Sequence, residues 1–269
     1  MEEKVNDLDP KKWREYEKEG LQFFTVWDTP ERDPYNWTNY TIHGNSPVEI
    51  VRQCILRFSR KNDLVLDPFV GSGTTLIVCA RVKRRGIGIE INPNIVKIIK
   101  KNFAQKGLEK EYNEWLTKQK IICDDARNLK NYVKDNSVDM VFTHPPYWDL
   151  INYSKEYGMV KGDLSNMSFE EFLNGIEEVF QHIYDVLKKN KFFCVLIGDD
   201  FKEGGKVIPL DYYLTKIGLN VGFEFYTKII KITREATSRR NQINIMKYRS
   251  LRNNFFICIH DFVLIFKKV

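Results

Sequence analysis

Two segments of this sequence combine residue types that can hold a ligand. The first reads DPFVGSGTT at 67–75 and places two glycines after an apolar run and before a helical one. Glycine lets the backbone turn tightly and lets a ligand approach the main chain, and amides at a helix start favour an anionic group such as a carboxylate. The segment does not match the GxGxxG dinucleotide motif, and because no lysine follows the second glycine it is not a Walker A loop.

Two carboxylates stand at the ends of the next two predicted strands. Glu90 ends the run GIGIE, where it can accept hydrogen bonds from ribose hydroxyls, and Asp125 follows the run IIC, where it can bind an adenine amino group. Each feature alone is common, since a glycine turn or a strand-end aspartate often has only a local role. Three in order at successive strand ends indicate a ligand site, because open α/β sheets bind ligands at that edge.

The second segment reads THPPYW at 143–148 and follows the fourth predicted strand. Its two prolines stiffen the loop and remove two amide donors, which leaves the preceding carbonyl to accept a hydrogen bond. The aromatic residue that follows can stack on a flat ring. Acceptors beside a stacking ring suit a base flipped out of a duplex, although a rigid proline turn would be the simpler interpretation if the loop stood alone.

The elements that position these loops alternate between strand and helix from Ser46 onward. Strands without polar alternation, separated by helices, are typical of a mainly parallel sheet buried on both faces. The pattern predicts an α/β fold with a doubly wound, seven-stranded, mostly parallel, Rossmann-like sheet. We assign residues 42–269 to this domain and residues 1–41 to an N-terminal helix and an irregular aromatic arm, whose rings we expect to anchor the arm to the core rather than contact bases.

The composition permits a nucleic-acid partner without requiring one. The net charge is +6 and the pI is about 8.9. The 5 cysteines are odd in number and widely spaced, which argues against a disulfide framework and a zinc site and indicates a reducing compartment. The polar, acidic start is unlike a secretory signal, and the apolar runs are far shorter than the roughly 20 residues of a membrane helix. We therefore expect a cytoplasmic protein without a metal.

Together, the loops at 67–75 and 144–147 resemble those of the DNA amino-methyltransferases, which modify N4 of cytosine or N6 of adenine in restriction–modification systems. The loops of that family read DPF-x-GSGTT and (D/N/S)PPY, and the resemblance runs from about Ile42 to the C-terminus. It implies S-adenosylmethionine as the cofactor, double-stranded DNA with base flipping as the substrate, and a cognate restriction endonuclease as a functional partner. The cofactor-binding residues that it implies are Asn45, Ser46, Asp67, Phe69, Gly71, Gly73, Thr74, Glu90 and Asp125.

The resemblance also implies a catalytic loop of His144, Pro145, Pro146 and Tyr147. His144 and the Pro145 carbonyl would accept hydrogen bonds from the target amino group while Tyr147 stacks on the base, so that positioning and electrostatics drive in-line attack on the methyl group. His144 departs from the usual Asp, Asn or Ser, but a neutral imidazole also accepts a hydrogen bond. Thr143 makes the loop more similar to the serine-containing version, which favours cytosine N4 over adenine N6.

DNA recognition is expected from inserted segments, because the separate recognition domain that often follows the catalytic domain in this family is not expected here. The candidate segments are the arm, 149–167 and 231–254. The last joins the final two strands, is rich in basic residues and amides, and has one acidic residue, Glu235. Basic residues suit phosphates and amides suit base edges, whereas the alternative is a solvated hairpin of ordinary charge. The expected DNA-binding residues are Arg234, Arg239, Arg240, Lys247, Arg249 and Arg252.

Three other functions share parts of this pattern. An RNA amino-methyltransferase would carry both loops, but it would normally add an RNA-binding module. A protein-glutamine methyltransferase uses an NPPY loop, but it would not need the basic segment. A non-catalytic DNA-binding module could keep the fold alone, and the intact Asp67, Gly71, Gly73, Glu90 and Tyr147 argue against it.

Overall fold

The computed structural model describes most of the chain as alternating strands and helices. The described residues are 4–29, 33–35, 37–38, 45–104, 110–148, 157–201, 206–233 and 243–269. The helices are α1 (Trp13–Lys18), α2 (Val48–Phe58), α3 (Thr74–Arg81), α4 (Pro93–Ala104), α5 (Lys110–Leu116), α6 (Phe169–Val186), α7 (Leu210–Val221) and α8 (Ile243–Asn253). The strands are β1 (Val26–Asp28), β2 (Leu64–Asp67), β3 (Arg85–Glu90), β4 (Gln119–Cys123), β5 (Val138–Thr143), β6 (Leu187–Ile197), β7 (Asp200–Phe201), β8 (Val207–Ile208), β9 (Glu224–Ile232) and β10 (His260–Lys267).

Among the described residues, the main sheet confirms the predicted doubly wound α/β fold and has eight strands rather than the predicted seven. Its order is β1-β9-β10-β6-β5-β2-β3-β4, and β10 alone runs antiparallel to its neighbours. The additional strand is β1, which lies in the segment predicted as an irregular arm and pairs in parallel with β9. Three residues at a sheet edge are too few to show a periodic pattern, so only pairing reveals this strand. The separate hairpin of β7 and β8 was also not predicted.

The chain reverses its direction of travel across the sheet at β2. Strands β3 and β4 are added on one side of β2, and β5 and β6 on the other. The carboxyl ends of β2, β3 and β5 therefore meet at a topological switch point, which is where open α/β sheets form a ligand crevice. Both motif loops follow strands that end at this point.

Both faces of the sheet are buried by helices. On one face, residues of α6 and α7 such as Phe180 and Leu214 pack with Leu66 and Phe193. On the other face, α2 and α3 pack with the neighbouring strand residues, among them Val65 and Cys194. The alternation of adjacent strand residues between the two clusters explains why the strands read as continuous apolar runs. A capping box of Ser168 and Glu171 starts α6.

The N-terminal segment is attached to α2 by buried polar contacts. Glu49 accepts a hydrogen bond of 2.7 Å from the Tyr35 hydroxyl and one of 3.0 Å from Arg52 Nε. Arg52 also donates to the carbonyl of Glu19 at 2.8 Å, and Trp27 is 2% exposed. Burial and the hydrogen bond to Glu49 raise the pKa of Tyr35 to about 12. Trp27 and Tyr35 thus pack as anchors of the arm, whereas Phe23 and Phe24 are exposed and Tyr40 lies outside the described residues.

Two further expectations concern the whole chain. All 5 cysteines lie in the described ranges and are free thiols. Across the described ranges, no helix has the length and apolarity needed to cross a membrane.

The predicted loop at 231–254 contains helix α8, which the sequence pattern did not reveal because its apolar residues do not form one face.

Candidate active site

A cleft of about 890 Å³, including its open mouth, lies at the switch point. Nine of the predicted site residues line it: Asn45, Ser46, Phe69, Gly71, Thr74, Glu90, Asp125, His144 and Pro146. The loops after β2, β3, β4 and β5 therefore meet in one place, as the order of strand-end motifs predicts. Apolar side chains complete the wall, namely Ile89, Ile91, Ile95 and Leu164.

Asp67 lies beneath the cleft rather than in its wall. Its Oδ2 accepts a hydrogen bond of 2.5 Å from the Thr75 hydroxyl, and its Oδ1 accepts from the Phe69 amide and the Thr143 hydroxyl, both at 3.1 Å. Burial raises the pKa of Asp67 to about 6, and these three donors oppose that effect. Asp67 thus joins the turn after β2 to the end of β5 and stabilises the relative position of the two motif loops.

The glycine turn between β2 and α3 needs glycine at two positions. Gly71 and Gly73 have φ values of +51° and +90°, in the left-handed region. A Cβ on Gly73 would also lie 2.9 Å from the Ile99 side chain on α4, so a larger residue would clash there. Gly73 precedes the first residue of α3 and does not line the cleft, whereas Gly71 does.

Glu90 is a half-buried carboxylate in the cleft wall. Its Oε1 accepts a hydrogen bond of 2.8 Å from the Asn92 amide, and the Gly71 amide also donates to it. Burial, together with the negative charge of Asp163, raises the pKa of Glu90 to about 7. The site therefore has two neighbouring carboxylates whose mutual repulsion a bound cation would relieve.

Asp125 lines the cleft but is already engaged by a neighbouring cation. Arg127 donates to both of its oxygens, at 3.1 Å from Nε to Oδ1 and 2.6 Å from Nη2 to Oδ2. The same Nη2 donates to the carbonyl of Gly162 at 3.0 Å. The predicted contact of Asp125 with an adenine amino group would therefore have to share or displace Arg127.

Residues 162–164 of the predicted DNA-contacting segment 149–167 line the cleft. Asn92 and Asn94 donate to the Tyr157 carbonyl, Asn94 at 3.0 Å, and the Trp148 indole donates to the Met167 carbonyl at 3.0 Å. Sequence reasoning missed Asp163 and Leu164 as site residues, because these contacts join segments far apart in the chain. Residues 149–156 lie outside the described ranges.

His144 is hydrogen-bonded through both ring nitrogens. Its Nδ1 lies 3.1 Å from the Ser46 hydroxyl, and its Nε2 lies 2.9 Å from the Tyr147 hydroxyl. The His144 and Tyr147 rings meet edge to face, with centroids 5.2 Å apart. Pro145 is buried and Pro146 lines the cleft. The loop thus holds the imidazole between the cleft and the tyrosine ring.

The structure describes three of the six predicted DNA-binding residues. Lys247, Arg249 and Arg252 are exposed on α8, in which no residue is buried. Arg234, Arg239 and Arg240 lie outside the described residues. Lys231, the first basic residue of the segment, is 7% exposed and paired with Asp261 at 3.1 Å, so it is not a phosphate-contacting residue of the surface.

A family comparison agrees with this arrangement. The model of the N6/N4 methyltransferase family, described as DNA methylase, matches residues 1–101 and 138–269. This chain belongs to that DNA methylase family. The match includes both motif loops and the N-terminal segment that carries β1, and it confirms the resemblance drawn from 67–75 and 144–147.

Individual DNA methylases resemble parts of the chain. The type II methyltransferase M.MjaII of Methanocaldococcus jannaschii is 27% identical over 209 residues, which cover 74% of this chain and 37% of the relative. M.HpaI of Haemophilus parainfluenzae is 42% identical over 94 residues, covering 35% of this chain and 28% of the relative. The chain spans less than half the length of these curated relatives.

Solved structures agree at the level of the fold. A SAM-dependent methyltransferase from Methanosarcina mazei superposes with a TM-score of 0.52 and 13% identity, covering 79% of this chain and 95% of that structure. Because the identity is so low, this likeness supports the fold of this chain and nothing about its substrate.

Proposed function

We propose that this protein transfers a methyl group from S-adenosylmethionine to an exocyclic amino nitrogen of cytosine or adenine in double-stranded DNA, at a specific site and within a restriction–modification system. The observation that carries the proposal is that Gly71, Glu90, Asp125 and His144 line one cleft at the switch point. Membership of the DNA methylase family supports DNA as the substrate.

The cleft has the chemistry that S-adenosylmethionine requires. Glu90 offers carboxylate oxygens to ribose hydroxyls, and the pair of Glu90 and Asp163 complements a cationic ligand. Ile91, Ile95 and Leu164 offer an apolar surface to a flat adenine ring. When bound, the cofactor supplies an activated methyl group on a positively charged sulfur.

The proline loop prepares the nucleophile. Tyr147 stacks on the extruded base, while the Pro145 carbonyl accepts a hydrogen bond from its amino group and orients the nitrogen lone pair. His144 holds the Tyr147 hydroxyl at 2.9 Å and thereby fixes the plane of the ring. Burial of Pro145 beside the cleft removes water from this acceptor.

The preference for cytosine N4 over adenine N6, drawn from the likeness of the loop to the serine-containing version, gains no further support from the contacts of Thr143. That preference rested on Thr143, which is 0% exposed and donates its hydroxyl to Asp67. A hydroxyl committed to a buried carboxylate does not contact a substrate, so Thr143 has a structural role. We therefore propose the amino group, and not one particular base, as the target.

The proposal is tested by sequencing, with modification detection, of DNA from cells that express the chain. We expect methylated cytosine N4 or adenine N6 at one recurrent sequence, and none in cells that express Glu90→Ala. Incubation of purified protein with labelled S-adenosylmethionine and separate DNA, RNA and protein substrates identifies the acceptor. Labelling of RNA or protein in preference to DNA would replace the proposal.

A further inference from the structure

The strand ends beside Tyr147 contain a polar group that the sequence motifs do not identify. Asp261 in β10 lies opposite Lys231 in β9, and both stand at the same edge of the sheet as the carboxyl end of β6. Gly198 follows β6 at that edge. A Cβ built on Gly198 would lie 2.6 Å from Asp261 Oδ1 and 2.9 Å from Tyr147 Cε2. The carboxylate and the tyrosine ring therefore flank the same glycine.

The two oxygens of Asp261 have different surroundings. Oδ2 accepts hydrogen bonds from Lys231 Nζ at 3.1 Å and from the Thr233 hydroxyl at 2.8 Å. Within the described part of the chain, no donor bonds Oδ1, which is the oxygen that faces Gly198. Lys231 is buried, whereas the Asp261 side chain is 23% exposed. The ion pair thus fixes a carboxylate with one oxygen turned toward the tyrosine ring.

The neighbouring acceptor, His144, is already engaged. Ser46 and Tyr147 occupy its Nδ1 and Nε2, so a neutral imidazole has one nitrogen that donates and one that accepts, both within the protein. A substrate amino group could bond His144 only by displacing one of these partners. Asp261 Oδ1 needs no such displacement.

We propose that Asp261, held by Lys231 and Thr233, accepts a hydrogen bond from the target base and selects bases that present an amino group beside Tyr147. This inference rests on the proposed function. A carboxylate accepts but does not donate, so it favours an amino group and repels the keto oxygen that replaces it in a deaminated base. Asp261 in β10 then supplies the acceptor that His144, which replaces the usual Asp, Asn or Ser, does not offer to the base.

The test compares binding to two duplexes that differ at the mapped target position. One duplex carries the unmethylated target base, cytosine or adenine, and the other carries its deaminated counterpart, uracil or hypoxanthine. In both duplexes this base lies opposite an abasic site, so that its extrusion costs the same free energy. We expect the wild-type protein to prefer the amino base by about tenfold or more, as for a hydrogen bond to a charged group. Asp261→Asn should reduce this preference several-fold, because a rotated amide can donate to a keto oxygen, and the Pro145 carbonyl should account for the preference that remains.

Asp185→Asn is the matched control. Asp185 is also paired with a lysine, Lys130, at 2.7 Å. It lies at the end of α6, just before the amino end of β6, and therefore at the opposite end of the strands from Asp261. This variant should keep the wild-type preference. Cofactor affinity, measured by calorimetry, should be the same in wild type and both variants.

Gly198→Ala provides a second variant that keeps the ion pair intact. Its Cβ would move Asp261 Oδ1 and Tyr147 apart, and the preference for the amino base should fall as well. A folded Asp261→Asn protein that methylates slowly but keeps the wild-type base preference would overturn the inference and leave Asp261 a structural residue. If Asp261→Asn does not fold, an unchanged preference in Gly198→Ala overturns it. Failure of the wild-type protein to methylate any DNA would instead refute the proposed function.

Discussion

At the residue scale, the charge of Glu90 changes within the pH range in which DNA methylation would be assayed. Burial, followed by the charge of Asp163, raises the pKa of Glu90 to about 7, so a large fraction of the side chain is protonated at neutral pH in the empty cleft. Only the ionised form accepts hydrogen bonds through both oxygens and attracts a cation. Cofactor binding and deprotonation of Glu90 are therefore linked.

This linkage predicts that S-adenosylmethionine affinity rises with pH. With a pKa of about 7, the ionised fraction increases roughly tenfold between pH 6 and pH 8, and the association constant should follow it. Glu90→Gln should weaken binding by about tenfold or more at pH 8, because a charged hydrogen bond is removed, and should flatten the pH dependence. Isothermal calorimetry from pH 6 to pH 8 measures both effects. A wild-type-like pH profile in Glu90→Gln would assign the dependence to another group.

Tyr147 has two separable contributions, its ring and its hydroxyl. Tyr147→Ala removes a base stack worth roughly 1–3 kcal/mol and should lower the single-turnover methylation rate by about fivefold to a hundredfold. Tyr147→Phe keeps the ring and removes the hydroxyl with its bond to His144 Nε2, so its rate should stay much closer to wild type. Cofactor affinity should change in neither variant, because Tyr147 does not line the cleft. Wild-type turnover by Tyr147→Ala would remove the loop from the active site.

At the element scale, helix α8 is a surface without buried side chains. Lys247, Arg249 and Arg252 are exposed, and residues 243–259 contain no aspartate or glutamate. The Thr233 amide bonds the Ile259 carbonyl at 2.6 Å, so the segment leaves and rejoins the sheet at the edge where Asp261 and Tyr147 lie. The position and charge of the helix suit contacts with DNA phosphates around an extruded base.

Neutralising these three residues to glutamine should weaken binding to all DNA sequences. The slope of log affinity against log salt should become shallower by about 0.9 for each phosphate that is no longer neutralised, or roughly 2.7 in total. The matched control replaces Lys61, Lys134 and Lys189, which are exposed near the amino ends of β2, β5 and β6, with the same change in charge. Equal effects in both triple variants would show that net charge, rather than α8, determines affinity.

At the scale of the whole molecule, the N-terminal segment shares the sheet and core of the methyltransferase domain. Strand β1 extends the sheet beside β9, and Trp27 packs in the same cluster as Ile229 and Val263. We therefore expect the arm and the domain to unfold together as one cooperative unit. The proposed boundary at residue 41 would then separate two segments of the sequence that unfold in a single transition.

Replacement of Trp27 tests this expectation. Trp27→Ala leaves a cavity in the core and removes the indole bond to the Phe24 carbonyl, so it should lower the free energy of unfolding by about 3–5 kcal/mol. Phe24→Ala, at a ring that is 75% exposed, should change it by less than about 0.5 kcal/mol. Urea denaturation followed by circular dichroism gives both values. A separate early transition in Trp27→Ala would show that the arm folds independently.

The doubly wound fold and the convergence of the motif loops follow from the sequence alone. Apolar runs alternating with helical patterns define a parallel sheet, and the order of the motifs places them at one edge, because the strands that they follow all point the same way. Gly71, Glu90, Asp125 and His144 could therefore be assigned to one cleft from their positions in the chain. These inferences depend on local patterns and on chain order.

The pairing of the polar groups, in contrast, is visible only in the folded chain. Asp261 and Lys231 are 30 positions apart and meet because β9 and β10 are paired. Asp163 reaches the cleft through contacts of its segment with Asn92 and Arg127. Side-chain pairing across strands and loops depends on register and on the path of the connecting segments, and neither leaves a periodic signal in the sequence. For the same reason, the sequence does not show that Lys231, at the start of the basic segment 231–254, is a buried partner of Asp261.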